Sequence, residues 1–234
     1  MTESATPMLS ARGLSKRYER GGQVVNALDD VSLDVPPGDF LALMGPSGSG
    51  KSTLLNIAAG IDEPTAGTCV VDGRDVQAMR AGERDAWRTR TIGYIFQFYN
   101  LIPTLTAAEN VDLPLLLLPL SARERREHVA AALDLVGLSD RLHHTPAQLS
   151  GGQQQRVAVA RALVTDARLL LCDEPTGNLD ATSEQEVMHL LRRLVDEHGK
   201  TVVLVTHDPT AAAHATRRLR LEKGKLVAAM EASA

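Results

Sequence analysis

Residues 45–53 read GPSGSGKST, a full match to the pattern GxxxxGK(S/T). The pattern has a mechanism: glycines let backbone N–H groups curl around phosphate oxygens, and the following helix aims its positive end at them. Gly45, Pro46, Ser47, Gly48, Ser49 and Gly50 would form the cradle, closed by Thr53. Lys51 would reach the terminal phosphates and Ser52 would offer its hydroxyl to Mg²⁺. The flanks agree with this. Residues 40–44, FLALM, are a continuous apolar run typical of a buried strand, and residues 52–60, STLLNIAAG, read as a short helix stopped by Gly60. A flexible Gly/Ser loop is the competing reading, but four fixed positions arise by chance in a chain this long at about one per cent.

Working outward, residues 31–35, VSLDV, alternate as a half-exposed strand does, and Pro36-Pro37-Gly38 turns the chain into the buried run. Residues 68–76, TCVVDGRDV, read as a strand with a turn at Asp72-Gly73. Strand signals return in RLLLCDEP and TVVLVTHD, separated by the helical stretch TSEQEVMHLLRRLVDEHG, whose Val187, Leu190, Leu191, Leu194 and Val195 share one face. Apolar strands alternating with amphipathic helices predict an α/β fold with a mostly parallel sheet covered on both sides.

The middle of the chain differs. SARERREHVAAALDLVG, opened by Ser121 as N-cap and closed by Gly137, is an amphipathic helix inside a helical insert placed at residues 98–165. The run LPLLLLPL at 113–120 is broken by Pro114 and Pro119, which favours packing against core or partner over membrane insertion. The charge runs GERDAWRTR and ARERRE read as solvated faces.

The formal net charge of −4 over 234 residues gives no basic footprint, so no direct nucleic-acid partner is expected. Cys69 and Cys172 stand far apart in apolar runs, which is neither a disulfide framework nor a metal spacing and fits a reduced, cytosolic setting. The start, MTESATPMLS, lacks the basic flank and apolar core of a signal peptide, and no segment approaches the ~20 apolar residues of a membrane span. Any membrane role would borrow its spanning helices from another chain.

Asp173 and Glu174 end the run LLLC and would emerge at the carboxyl edge of the sheet, where open α/β folds bind ligands. Asp173 suits a Mg²⁺ shell and Glu174 suits the polarising of an attacking water. Alone, the pair reads better as a cap before Pro175; the phosphate loop reverses that preference. His207 leaves another apolar run at the same edge, and position alone gives it no role.

Residues 149–156 read LSGGQQQR. Ser150, Gly151 and Gly152 precede a helical stretch that begins at Gln153, so hydroxyl, N–H groups and helix dipole offer a second anion site. The octet resembles the signature sequence of ABC ATPases, and the resemblance extends from about residue 9 to about residue 226 with the family's motifs in order. It implies a P-loop NTPase fold of the ABC ATPase class: a mostly parallel core sheet, an antiparallel β subdomain and the helical insert. The cassette would span residues 9–234, behind an N-terminal tail at 1–8.

What the resemblance implies for the site is specific. Tyr18 matches the aromatic stacked on adenine. Gln97 matches the glutamine that senses Mg²⁺ and the water, Asp180 the loop that touches the opposite subunit, and His207 the clamp on the γ-phosphate. Ser52, Gln97 and Asp173 would surround the metal, with Glu174, His207 and Gln97 catalytic. The cofactors would be ATP and Mg²⁺. The chain would form an ATP-dependent head-to-tail dimer, docked on transmembrane permease subunits at the inner face of the cell membrane. FQFYNLIPTLTAAENVDLPL together with DEPTGNLD is similar to the subfamily of macrolide exporters, lipoprotein-releasing ATPases and the cell-division ATPase. The chain's ending soon after LRLEKGKLV likewise favours export or mechanical coupling. ABC ATPases of DNA repair or translation, and regulators of an extracytoplasmic hydrolase, are the alternatives.

Overall fold

The computed structural model describes residues 6–230. A long hairpin of β1 (Leu9–Arg20) and β2 (Gln23–Val35) leads into β3 (Phe40–Met44) and α1 (Lys51–Ala58), followed by β4 (Ala66–Val71) and β5 (Arg74–Asp75). Next come α2 (Ala81–Thr91), β6 (Ile92–Ile95), α3 (Ala107–Asp112), α4 (Ala122–Leu135) and α5 (Gly151–Leu163). The chain ends with β7 (Leu169–Asp173), α6 (Ala181–Asp196), β8 (Thr201–Thr206), α7 (Pro209–Ala212), β9 (Arg217–Glu222) and β10 (Lys225–Met230).

Two sheets result. The larger has the order β10-β9-β3-β8-β7-β6, parallel from β9 through β6 and antiparallel only at the β10 edge. The smaller, β2-β1-β4-β5, is antiparallel throughout. The continuous apolar runs divide by the two-residue period of a strand. Leu41, Leu43, Leu169, Leu171, Val203 and Val205 face a core shared with α1 and the antiparallel sheet. Phe40, Ala42, Leu170, Cys172, Val202 and Leu204 face a second core built with α3, α4, α5 and α6. Burial on both faces is why these strands carry no polar alternation. All five apolar residues expected on one face of α6 are buried.

Ser121 caps α4 as its sequence predicts, its hydroxyl accepting from Glu124 N–H while the Glu124 carboxylate accepts from Ser121 N–H. The greasy run at 113–120 is a 3₁₀ turn, Leu113–Leu117, that buries Leu115 and leaves Leu116 and Leu117 exposed. The charge run GERDAWRTR is only partly a solvated face: it forms α2, buries Trp87, and sends the Arg88 guanidinium to the carbonyls of Ala59 and Gly60. Of the expected tail, residues 1–5 lie outside the described residues. Met8 is buried, and its N–H donates to Val35 O, extending the sheet. Residues 231–234 also lie outside the described residues. Among the described residues no helix is long and apolar enough to cross a membrane.

Candidate functional site

The loop at 45–50 links β3 to α1, and its backbone is closely supported. Gly50, at φ +103°, is the N-cap of α1; a Cβ there would stand 2.1 Å from Ala27 O. A Cβ on Gly45 would stand 2.1 Å from Leu221 O. These approaches explain the glycines without reference to any ligand. Helix α1 begins with no side-chain cap and no acidic residue in its first turn, so its N–H groups and dipole are left for an anion. Lys51, 5% exposed, folds back and donates to Gly45 O at 2.8 Å and Pro46 O at 2.9 Å. Burial holds its pKa below the usual lysine value, opposed by the nearby Glu174 and Asp173 carboxylates. Ser49 is buried with no partner for its hydroxyl among the described residues. Pro46, Ser47 and Gly48 are exposed at the rim, and Thr53 is half-buried one turn in. An uncapped helix end, an orphaned hydroxyl and a buried lysine together fit a phosphate chain.

The residues expected to hold Mg²⁺ are also brought together. Ser52 Oγ donates to Asp173 Oδ1 at 3.0 Å, joining two hard oxygen donors at the edge of the loop. Burial pushes the Asp173 carboxyl up from its ordinary value and the Glu174 charge adds to this, while the Ser52 hydrogen bond and Lys51 act against it. A divalent cation at that point would relieve the strain on the carboxylate. Glu174 follows with its backbone in the left-handed region at φ +46°, a conformation costing about 1–2 kcal/mol in a non-glycine residue. Its N–H donates to Val205 O, and its carboxylate Oε2 lies 3.1 Å from His207 Nδ1. β7 and β8, adjacent and parallel, thus bring Asp173, Glu174 and His207 to one edge beside Lys51 and Ser52.

Gln97 leaves β6 next to β7. Its backbone carbonyl accepts from Asn178 Nδ2 at 3.1 Å, and its side-chain Nε2 would stand 3.0 Å from a Cβ on Gly177. Gln97 therefore rests against the loop that follows Glu174. Tyr18, at the far end of β1, is partly exposed; its hydroxyl donates to Asp62, and Lys16 Nζ stands 4.9 Å from its ring centroid. Burial raises its pKa and the Asp62 contact adds to this, while the Thr53 side chain acts in the opposite direction.

Ser150 is the N-cap of α5, in a reciprocal capping box with Gln153. Gly151 and Gly152 let α5 approach its neighbours: a Cβ on Gly152 would stand 2.6 Å from Ser183 Oγ, and one on Gly151 2.8 Å from the Tyr99 hydroxyl. Asp180 caps α6, accepting from the N–H groups of Thr182 and Ser183. Among the described residues no hydrogen bond or ion pair joins Ser150, Gly151, Gly152, Gln153 or Asp180 to the phosphate loop. The sequence-predicted residues therefore fall into two groups, one around Lys51 and one where α5 meets α6.

A model of the ABC transporter family matches residues 28–177. The chain belongs to that family. Among the relatives of this ABC cassette, the macrolide export ATP-binding/permease protein MacB 1/2 of Paracoccus denitrificans is 49% identical over 228 residues, covering 97% of this chain and 34% of the relative. The chain thus spans about a third of the length of the macrolide export relatives it matches. An uncharacterised ABC transporter ATP-binding protein, YvrO of Bacillus subtilis, is 46% identical over 94% of this chain and 96% of its own. Two solved dimers of the ABC transporter cassette MJ0796, one in a post-hydrolysis state with ADP and Pi, share 41% identity, with TM-scores of 0.89 and 0.88. Both cover 97% of this chain and all of the other. The fold is that of an ABC transporter cassette.

Sequence reasoning passed over several residues that hold this cassette's site together. Gln155, wholly buried on α5, donates to Phe96 O and Pro175 O, flanking Gln97 and Glu174. Asn178 fixes the carbonyl of Gln97, and Arg161 donates to Tyr99 O and Asn100 O. Their partners are backbone carbonyls distant in sequence, so no spacing announces them.

Proposed function

We propose that this cassette powers a membrane permease through an ATP-dependent head-to-tail dimer, with Glu174 as the residue that activates the attacking water. The observation carrying the reading is the convergence of Lys51, the Ser52–Asp173 pair and the Glu174–His207 pair at one sheet edge. Bound Mg²⁺ supplies charge neutralisation at the phosphates. The chain's own residues do the rest. Backbone N–H groups of the 45–50 loop and of α1 bind the phosphate chain, and Lys51, released from Gly45 O and Pro46 O, turns its charge to the terminal oxygens. Ser52, Asp173 and Gln97 orient the cation. Glu174, held by His207, accepts hydrogen bonding from the water and lines it up, while His207 secures the γ-phosphate. Tyr18 stacks on the base.

Ser150, Gly151, Gly152 and Gln153 cap the γ-phosphate held by a second copy, and Asp180 lines the same interface. Their separation from the chain's own phosphate loop supports a site completed in trans, as does the dimeric state named for the solved MJ0796 cassettes. Closure and opening of the dimer would move the permease. The macrolide export relatives join an ATP-binding part to a permease part, and this chain covers the third that aligns with it. Exposed Phe98, Ile102, Leu116 and Leu117, the last of which lines a cavity of about 280 Å³ with Arg88, Tyr94 and Arg161, offer apolar surface for that partner. The cassette would then lie in the cytoplasm, peripheral on the inner face of the membrane, with the helical insert at 98–165 as the transmitting part.

Steady-state ATP hydrolysis by the wild type, Lys51→Ala and Glu174→Gln tests this reading. The wild type should turn over, Lys51→Ala should lose nucleotide affinity, and Glu174→Gln should bind without turnover. A Glu174→Gln variant hydrolysing at the wild-type rate would defeat it.

A further inference from the structure

Gln155 lies on α5, and its side chain leaves that helix to bond two other segments. Its Nε2 donates to Pro175 O at 2.6 Å and to Phe96 O at 3.3 Å. Phe96 precedes Gln97, and Pro175 follows Glu174. The side chain is wholly buried, so neither bond is exchanged with solvent. Its other polar atom, Oε1, is buried with no partner among the described residues. A polar group sealed in a core at this cost would be replaced by an apolar one if filling space were its only task. Ser150 is five residues back on the same helix, about 7 Å along the axis.

We propose that Gln155 is a positioning residue for hydrolysis, tying the backbones beside Gln97 and Glu174 to the helix that begins at Ser150. The inference rests on the reading that Gln97 and Glu174 align the metal and the water. The geometry gives it a definite consequence. Gln97 already rests on Gly177, and Asn178 already holds Gln97 O, so the two loops are linked to one another. Gln155 adds the link to α5. A small shift of α5, when a second copy's nucleotide engages Ser150, Gly151 and Gly152, then reaches both loops of this copy's site. One site's occupancy thereby sets the alignment of the other.

Gln155→Met keeps the volume and removes both donated bonds. A misplacement of about 1 Å at reacting groups costs up to about a hundredfold, so kcat should fall about ten- to a hundredfold, with the KM for ATP within about twofold of wild type. ATP-driven dimerisation in the Glu174→Gln background should persist. Val157→Ala, a buried apolar truncation on the same helix that removes no hydrogen bond to either loop, serves as the control: it should lower the melting temperature yet keep kcat within about twofold. Gln155→Asn, which retains the amide but is one methylene too short to reach both carbonyls, should also lose kcat. It carries the test should Gln155→Met fail to fold. The proposal is overturned if either Gln155 variant, folded, hydrolyses ATP at the wild-type rate, if Val157→Ala loses kcat equally, or if KM rises while kcat holds. A wild-type protein that does not hydrolyse ATP would instead overturn the proposed function.

Discussion

Two glycines of the phosphate loop should respond very differently to the same added methyl group. Gly48 has φ +75°, with nothing within 4 Å of an added Cβ. Gly48→Ala therefore meets only the left-handed backbone cost, about 1–2 kcal/mol, partly offset by the lower entropy of the unfolded chain. Gly50 has φ +103°, and its Cβ would stand 2.1 Å from Ala27 O and 2.9 Å from Leu28 Cδ2. The first of these neighbours is backbone, so α1 and β2 must separate by about 1 Å, adding an overpacking cost of up to about 3 kcal/mol. Gly50→Ala should thus destabilise the nucleotide-free protein by about 3–5 kcal/mol, against about 1 kcal/mol for Gly48→Ala. Urea unfolding without nucleotide measures both, with an unchanged slope confirming comparable end states. Equal destabilisation of the two variants would refute the claim that close backbone contact, rather than backbone conformation alone, fixes the glycine at the start of α1.

Asp173→Asn should raise the stability of the nucleotide-free protein at neutral pH. Burial and Glu174 place the folded pKa of Asp173 above its unfolded value, so the native state holds the proton more tightly and loses stability as pH rises through the folded pKa. The gain of the variant in thermal melts should therefore vanish below about pH 3.8 and grow upward from it, and added Mg-ATP should favour the wild type. Glu174→Gln should keep ATP affinity and lose about 10²–10⁴-fold in kcat, as measured by phosphate release. Tyr18→Ala should weaken ATP binding about three- to tenfold in titration, whereas Tyr18→Phe, which keeps the ring but not the bond to Asp62, should not. Asp180→Ala removes the cap of α6 and should cost about 1 kcal/mol in urea unfolding.

The parallel core and the phosphate loop were legible because their signals are contiguous. FLALM, LLLC and TVVLVT are apolar throughout, as strands buried on both faces must be, and the loop's nine residues lie side by side. The first strand was not legible from its pattern. LSARGLSKRYER carries five charged residues and two serines among bulges that shift its pairing with β2 after Ala11, Leu14 and Lys16, so no two-residue period survives. Trp87 was hidden in a charge run because only tertiary packing distinguishes its buried position from the charged residues around it. For the site, Asp173, Glu174 and His207 could be placed at one edge from strand ends alone. Gln155 could not, since its worth depends on two carbonyls, in the segments that follow β6 and β7, meeting over α5. The signature residues were readable as an anion site, yet among the described residues none of them bonds to the chain's own phosphate loop, and no single-chain pattern encodes the partner.

Whether two copies share each nucleotide is decided by size-exclusion chromatography of Glu174→Gln with and without Mg-ATP, run beside Glu174→Gln carrying Ser150→Arg. The account predicts a monomer without nucleotide, a dimer with it, and a monomer under both conditions once the cap of α5 is replaced. A Glu174→Gln protein that binds ATP and stays monomeric, or a dimer indifferent to Ser150→Arg, would contradict a site shared between two copies.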